Sequence, residues 1–259
     1  MKLTVAKIGW FISLGALAVL SISAIDYKKD GTLTAVEVRI EQFDEGAYFL
    51  TEQDVLDEVM EIIVAPGDHL IKEIQTGEIE TVLHSNPFIR DVDVYVSSEG
   101  TLNVKVIQRE PILRVFDADG KTYYIDREGM PIPVSKYFTA RVPIATGHIN
   151  VVQKDDESGE VETEWTRLHQ LVLEIDADPF FRSLTEQLDV SKSGQITIIP
   201  ATGDLRINFG RAENIDEKLE NLKAFYKQIF EHGGWDTYEA IDLSISGQVV
   251  CKKKPNLKS

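Results

Sequence analysis

NPFIRDVDVYVSSEGTLNVKVIQREP, residues 86–111, sets Val92, Val94 and Val96 in strict alternation, then a short polar SSEG, then Leu102, Val104 and Val106 in the same alternation. A period of two places each triplet on one face of a strand, and a polar turn between two such runs is the signature of a hairpin. Prolines close both ends. Pro87 disfavours a helical Asn86, so whatever helix precedes must stop there. No nucleophile, metal cluster or phosphate loop stands beside the hairpin. Its use is therefore sought in its backbone: an unpaired edge strand exposes donors and acceptors that another chain can extend. On that ground Val92, Val94 and Val96 are the expected partner surface of this part of the chain.

Upstream, residues 69–84 carry Leu70, Ile71, Ile74, Ile79, Val82 and Leu83 at helical spacing, with Gly77 as a soft spot. PGDH separates this stretch from TEQDVLDEVMEII, residues 51–63. There Thr51 is the expected N-cap, with Asp54 three residues on, and Val55, Val59 and Ile62 or Ile63 form the apolar stripe. Before it, AVEVRI alternates Val36, Val38 and Ile40 as a strand, preceded by a polar linker over residues 26–33. The order is strand, helix, helix, strand, strand.

The first 25 residues differ in kind. Residues 8–25, IGWFISLGALAVLSISAI, contain no charge, and as a helix they would span roughly 27 Å at ~1.5 Å per residue. The length favours a retained membrane anchor over a cleaved signal peptide, for which Ser21 and Ser23 offer only a weak small-x-small site. Lys2 and Lys7 on one side and Lys28 and Lys29 on the other nearly balance the positive-inside count. A seven-residue head (1–7) has no room for function, which places the N-terminus in the cytoplasm and the body outside. The chain's net charge is −16, and the first 25 residues contribute only Lys2 and Lys7, so the body is more acidic still. That charge repels nucleic-acid phosphates and excludes nucleic acid as a partner class. Cys251, the single cysteine, excludes an internal disulfide and reads as a small buried hydrophobe.

Downstream of Pro111, DADG, REGMPIP and ATG punctuate short strands, and KDDESGEVE reads as a solvated hairpin tip. Trp165, Leu168, Leu171 or Val172, and Ile175 mark an amphipathic helix stopped before Pro179. GQITIIP and DLRINFG form a pair of strands. NIDEKLENLKAFYKQIFEHGG is the strongest helix, with an N-cap box of Asn214 and Glu217 and an apolar face of Ile215, Leu219, Leu222, Phe225 or Tyr226, and Ile229. YEAIDLSISGQVVCKKK supplies two last strands about Gly247. Nothing but a polar tail follows, so the final strand is expected at a sheet edge.

The pattern carries no signature of catalytic chemistry. There is no nucleophile elbow, P-loop, dinucleotide fingerprint or zinc signature. His69, His84, His148, His169 and His232 lack the spacing that would put two imidazoles on one helix face. The expectation is a non-enzyme with no catalytic residue, no metal, no cofactor and no small-molecule substrate.

The order of elements, with a helix running into NPFIRDVDV and a hairpin ending at REP, resembles a POTRA domain. REPILRVFDADGKTYYIDREGMPIPVS then resembles the passage from POTRA to β-domain in the FtsQ/DivIB division proteins. This resemblance covers nearly the whole chain. It implies an α+β protein with a cytoplasmic head (1–7), a single transmembrane helix (8–25), a linker (26–33), a POTRA domain of β-α-α-β-β order (34–110), a mostly antiparallel β-domain with two or three helices (111–251) and a polar tail (252–259). It implies a divisome scaffold in the cell inner (plasma) membrane at the septum, whose last strands receive an FtsB-like partner of an FtsB/FtsL pair, while the POTRA domain docks other division proteins. The implied partner-binding residues are Tyr238, Ile241, Leu243, Ser246, Gln248, Val249, Val250, Cys251 and Lys252. One position departs from the family: Ser244 stands after IDL, where arginine is frequent. The competing readings are a POTRA-bearing outer-membrane assembly or secretion factor, a secreted hydrolase with a scattered site, and a binding module released at Ser23.

Overall fold

The computed structural model describes residues 31–42, 48–63, 67, 69–151, 163–232 and 237–255. The expected membrane helix (8–25), head and linker up to residue 30, the KDDESGEVE tip and the end of the tail lie outside the described residues. Among the described residues no helix is long and apolar enough to cross a membrane. The chain divides between Gln108 and Arg109 into two compact units.

The first unit runs β1 (Ala35–Glu41), α1 (Glu52–Ile62), a 3-10 turn (Ile71–Glu73), α2 (Thr76–His84), β2 (Ile89–Val96) and β3 (Thr101–Gln108). Its sheet has the order β1-β3-β2, with β2 antiparallel and β1 parallel to β3. The alternation of the hairpin fixes the register: Val92 faces Val106, Val94 faces Val104, and Val96 faces Leu102. β1 continues these rows with Ile40, Val38 and Val36. Gly100 closes the turn at φ +82°, with the Thr32 carbonyl only 3.0 Å from where a Cβ would stand, so a side chain is excluded on two counts.

Helix α1 starts as its sequence dictates. The Thr51 hydroxyl accepts the Asp54 N–H at 3.1 Å and the Asp54 carboxylate accepts the Thr51 N–H at 2.7 Å. Val55 and Val59 of α1, and Ile79 and Leu83 of α2, then bury against the sheet.

Two expectations are corrected here. Residues 69–84 do not form one helix, because residues 69–71 bond to the approach of β1: Leu33 N–H donates to His69 O at 3.0 Å and Ile71 N–H to Gly31 O at 2.9 Å. The helix begins only at Thr76, and Gly77 lies in its first turn rather than at the break. Val92 and Val94 are 7% and 5% exposed, and Val96 is half-buried. Val92 and Val94 are core residues under the helices and cannot serve as a partner surface, and Val96 packs against the same cluster.

The second unit runs β4 (Pro111–Asp117), β5 (Thr122–Asp126), β6 (Pro131–Pro133), β7 (Ile144–Gly147), α3 (Glu164–Ala177), α4 (Pro179–Leu184), β8 (Thr185–Val190), β9 (Ile196–Pro200), β10 (Arg206–Gly210), α5 (Ile215–His232), β11 (Tyr238–Asp242) and β12 (Val250–Lys253). Its nine strands form one sheet in the order β12-β11-β10-β9-β8-β7-β4-β5-β6. The sheet is mixed: β4/β7, β7/β8 and β10/β11 run parallel. Parallel neighbours need long crossovers, and α3 with α4, and then α5, provide two of them.

One cross-strand row, Ile241–Ile207–Ile198–Leu188–Ala145–Val115, spans six strands with every residue at most 1% exposed. α3 lays Leu168, Leu171, Val172 and Ile175 in the same cluster, and α5 adds Leu219, Leu222 and Tyr226. Burial pushes the Tyr226 phenol up to about 12. The neighbouring row, Asp242–Asn208–Thr197–Asp189–Thr146, is polar and lies on the opposite face. Helices on one face and water on the other make this an α+β layer.

The REP and YYIDREG segments, read above as a passage between domains, meet at the start of this unit. Arg109 pairs with the fully buried Asp126 at 2.6 Å, and the other Asp126 oxygen accepts the Met130 N–H at 2.7 Å. Arg127 bridges Glu110 at 3.1 Å and Asp176 at 2.5 Å, which ties the β5–β6 turn to the end of α3.

Candidate partner-binding edge

Among the described residues the sheet of the second unit ends on β12, whose one strand neighbour is β11. The direction of its free groups follows from two bonds. Leu243 N–H donates to Asn208 O at 2.8 Å, so odd residues of β11 point toward β10 and even ones toward β12. Lys254 N–H donates to Thr237 O at 2.9 Å, so even residues of β12 point back toward β11. The N–H and C=O of Cys251 and Lys253 therefore face away from the sheet. Val250, opposite Asp242, spends its hydrogen bonds on β11.

The expected partner-binding residues separate into distinct roles. Ile241 and Leu243 are 0% and 1% exposed; they hold β11 to the core and cannot touch a partner, which corrects their assignment. Tyr238 is half-buried, its ring 5.4 Å from that of Phe225 on α5. Val249 packs against the core, and Cys251 is half-buried with its thiol pushed up by burial. Ser246, Gln248, Val250 and Lys252 are exposed. Val250 at 45% and Ile245 at 49% stand among the most exposed large apolar side chains described, and both flank the edge.

The turn that delivers β12 is built on Asp242. Its Oδ1 accepts the Ser244 N–H at 2.8 Å and the Ser244 hydroxyl at 2.6 Å, while Oδ2 accepts Asn208 Nδ2 at 3.1 Å. Burial works to raise this carboxyl, but the Ser244 and Asn208 hydrogen bonds and the Lys218 ammonium outweigh it and hold it below the usual carboxylate range. Lys218 is itself buried, donating to Phe209 O at 3.0 Å and Arg211 O at 2.7 Å. Burial holds its pKa below the usual lysine value, against the pull of Glu213 and Glu217. Between α5 and this turn lies a cleft of ≈170 Å³ lined by Glu217, Asn221 and Ser246 among others.

Sequence reasoning missed Asp242 and Lys218. Asp242 followed by Ser244 is a local turn signal that could have been read; Lys218, hidden in an amphipathic helix, gives none. Asn214 is not the extended N-cap expected: its φ is +51°, although its carbonyl accepts the Lys218 N–H at 3.1 Å.

On the edge the charge reverses that of the chain. Lys252 pairs with Glu239 at 3.1 Å and Lys254 with Asp204 at 3.8 Å, whereas Lys253 has no carboxylate in reach among the described residues. Among the described residues no cluster of His, Cys, Asp and Glu could hold a metal. His169 instead stacks on Trp165, with ring centroids 5.8 Å apart.

Residues 110–252 match the family described as FtsQ/DivIB, C-terminal related, a match that covers more than half of the chain. The chain belongs to the FtsQ/DivIB family. Residues 33–107 match a POTRA-like domain, the first unit above. The cell division protein FtsQ of Salinibacter ruber is 27% identical over 161 residues, 61% of this chain and 61% of that one. The FtsQ of Rhodothermus marinus is 26% identical over 174 residues, 65% of this chain and 62% of its own length. The matches thus span about three fifths of these curated relatives. Within this FtsQ/DivIB chain, it is Gly210 that has a local reason to lack a side chain: a Cβ there would stand 2.9 Å from the Ser244 Cβ, at a φ of +75°.

Proposed function

We propose that the chain is a membrane-tethered scaffold of the bacterial division complex, which holds an FtsB-like partner of an FtsB/FtsL pair by strand addition at β12. The uncharged segment 8–25 anchors it in the inner (plasma) membrane, with the N-terminus in the cytoplasm and both units outside, concentrated at the septum. No bond in any substrate is made or broken. The observation that carries this reading is the outward direction of the Cys251 and Lys253 main-chain groups on the terminal strand of nine. A partner strand would find backbone donors and acceptors there, the apolar Val250 and Ile245 beside them, and the uncompensated Lys253 to meet an acidic residue. The POTRA-like unit docks further division proteins, and its Ile62–Val82–Phe88 patch rimmed by Glu58 and Glu61 is open for that purpose.

The test is a calorimetric titration of the extracytoplasmic segment of an FtsB-like partner into the full chain. Lys253→Pro removes an outward N–H for which no hydrogen bond is found among the described residues, and proline is tolerated where an edge N–H faces solvent. It should weaken the complex about tenfold or more while leaving the melting temperature unchanged, and Lys253→Ala separates the side chain from the backbone. Val250→Pro instead removes a bond to β11 and should destabilise the strand itself. Unaltered affinity in folded Lys253→Pro would remove β12 as the interface.

A further inference from the structure

The POTRA-like sheet has two edges, and only one is open. On β2 the Ser97 N–H donates to Thr101 O at 2.8 Å, so by alternation the N–H groups of Val92 and Val94 point away from β3. Both are already met by carboxylates: Val94 N–H donates to Glu80 Oε1 at 3.1 Å, and Val92 N–H to Asp91 Oδ1 at 2.9 Å. Side-chain capping of this kind denies the edge to another strand.

On β1 the Thr34 N–H turns inward to Gly100 O at 2.8 Å, and the Leu33 N–H turns outward to His69 O at 3.0 Å. Alternation from there sends the main-chain groups of Ala35, Glu37, Arg39 and Glu41 outward, and no hydrogen bond among the described residues meets them. Residues 69–71 occupy the edge up to Leu33, and among the described residues β1 itself is left open along its length.

That open strand, AVEVRIE, is complementary to its own reverse. Folded about Val38 in antiparallel register, Glu37 lies opposite Arg39 of a second copy and Arg39 opposite its Glu37. Val36 then meets Ile40, Ala35 meets Glu41, and Val38 meets itself. The outward residues 35, 37, 39 and 41 pair only with one another, which is what hydrogen-bonded positions of an antiparallel ladder require. On the other face Val36, Val38 and Ile40, all half-buried, are where the rows through Leu102, Val104 and Val106 run out. A second β1 would extend each row into a second core.

We propose that two copies of the chain pair through β1, antiparallel about a two-fold axis at Val38, to form one six-stranded sheet from two POTRA-like units. The contact is short, well below the area of an obligate dimer, so it should be weak in dilute solution and filled where tethering raises the effective concentration.

Disulfide trapping of the full chain in membranes, in a Cys251→Ser background, tests the register. A non-hydrogen-bonded antiparallel pair brings Cα atoms to ~4.5 Å, within the ~4.4–6.8 Å range a disulfide spans. Val38→Cys should therefore crosslink to its two-fold mate. Ala35→Cys, whose mate lies six positions away at roughly 20 Å, should crosslink at least about tenfold more slowly. In the Val38→Cys chain, Glu37→Arg or Arg39→Glu alone should reduce trapping, and the two together should restore it. If Val38→Cys disturbs the fold, amide exchange of the Cys251→Ser chain decides the matter: the Glu37 and Arg39 amides should gain protection as protein concentration rises. Equal trapping of Ala35→Cys, no rescue by the double swap, or protection only after a division partner is added would each overturn the pairing of copies.

Discussion

Asp242 joins three elements through one carboxylate: β11, which carries it, β10 through Asn208, and the turn toward β12 through Ser244. Asp242→Asn keeps the shape but loses acceptor capacity, and it should cost about 1.5–3 kcal/mol at neutral pH, the value of hydrogen bonds to a charged group. The sign with pH is fixed by the depressed folded pKa. The stabilisation is fully present above the unfolded carboxylate value of about 3.9 and is lost as pH falls through the lower folded value. Melting curves of wild type and Asp242→Asn should be well separated at pH 7 and converge toward pH 3; a constant gap would mean that the carboxylate charge plays no part. Lys218→Met is a parallel case, because it keeps an apolar stem of similar length but loses the ammonium that stands over the Phe209 ring and donates to the carbonyls of Phe209 and Arg211. Leaving buried carbonyls unmet should cost about 1–3 kcal/mol in denaturant unfolding.

Strands show which parts of this fold the sequence could reveal. Alternation found β1, β2, β3, β9 and β10. Alternation does not say which face is covered, however, because the cover on Val92 and Val94 comes from other elements, the helices that carry Val55, Val59, Ile79 and Leu83. Nor does it tell which backbone groups an edge strand leaves free. That parity depends on the neighbouring strand, which is why Val250, one of the residues implied to bind a partner, turns its main chain inward, while Lys253, not among them, turns its own outward. The interruption at residues 69–75 was equally hidden, since its cause is a pairing with Gly31 and Leu33. The same dependence on distant partners governs β2. Glu80→Ala should free the Val94 N–H and speed its exchange with solvent by about tenfold, the equivalent of one hydrogen bond of ~1.4 kcal/mol, while Val92, held by Asp91, is unaffected. Hydrogen exchange followed by NMR resolves the two amides. Equal acceleration at both would show that α2 as a whole had loosened.

At the scale of the whole molecule, each unit buries its own apolar cluster, and no residue belongs to both. Cooperative unfolding follows shared cores, so the chain should melt in two transitions and a single unfolding free energy would not describe it. Leu83, fully buried in the POTRA-like cluster, provides the test. Leu83→Ala removes core volume and should lower the stability of that unit by about 2–5 kcal/mol. Because β11 and β12 draw on the other cluster, the second transition should stay in place, and so should the affinity of an FtsB-like segment for the terminal strand. Pairing of copies through β1 should fall with the first transition. Calorimetry with a partner titration on the same samples distinguishes these outcomes: a matching shift of both transitions would make the two units one folding body, and the strand-addition edge would then depend on packing more than a hundred residues before it.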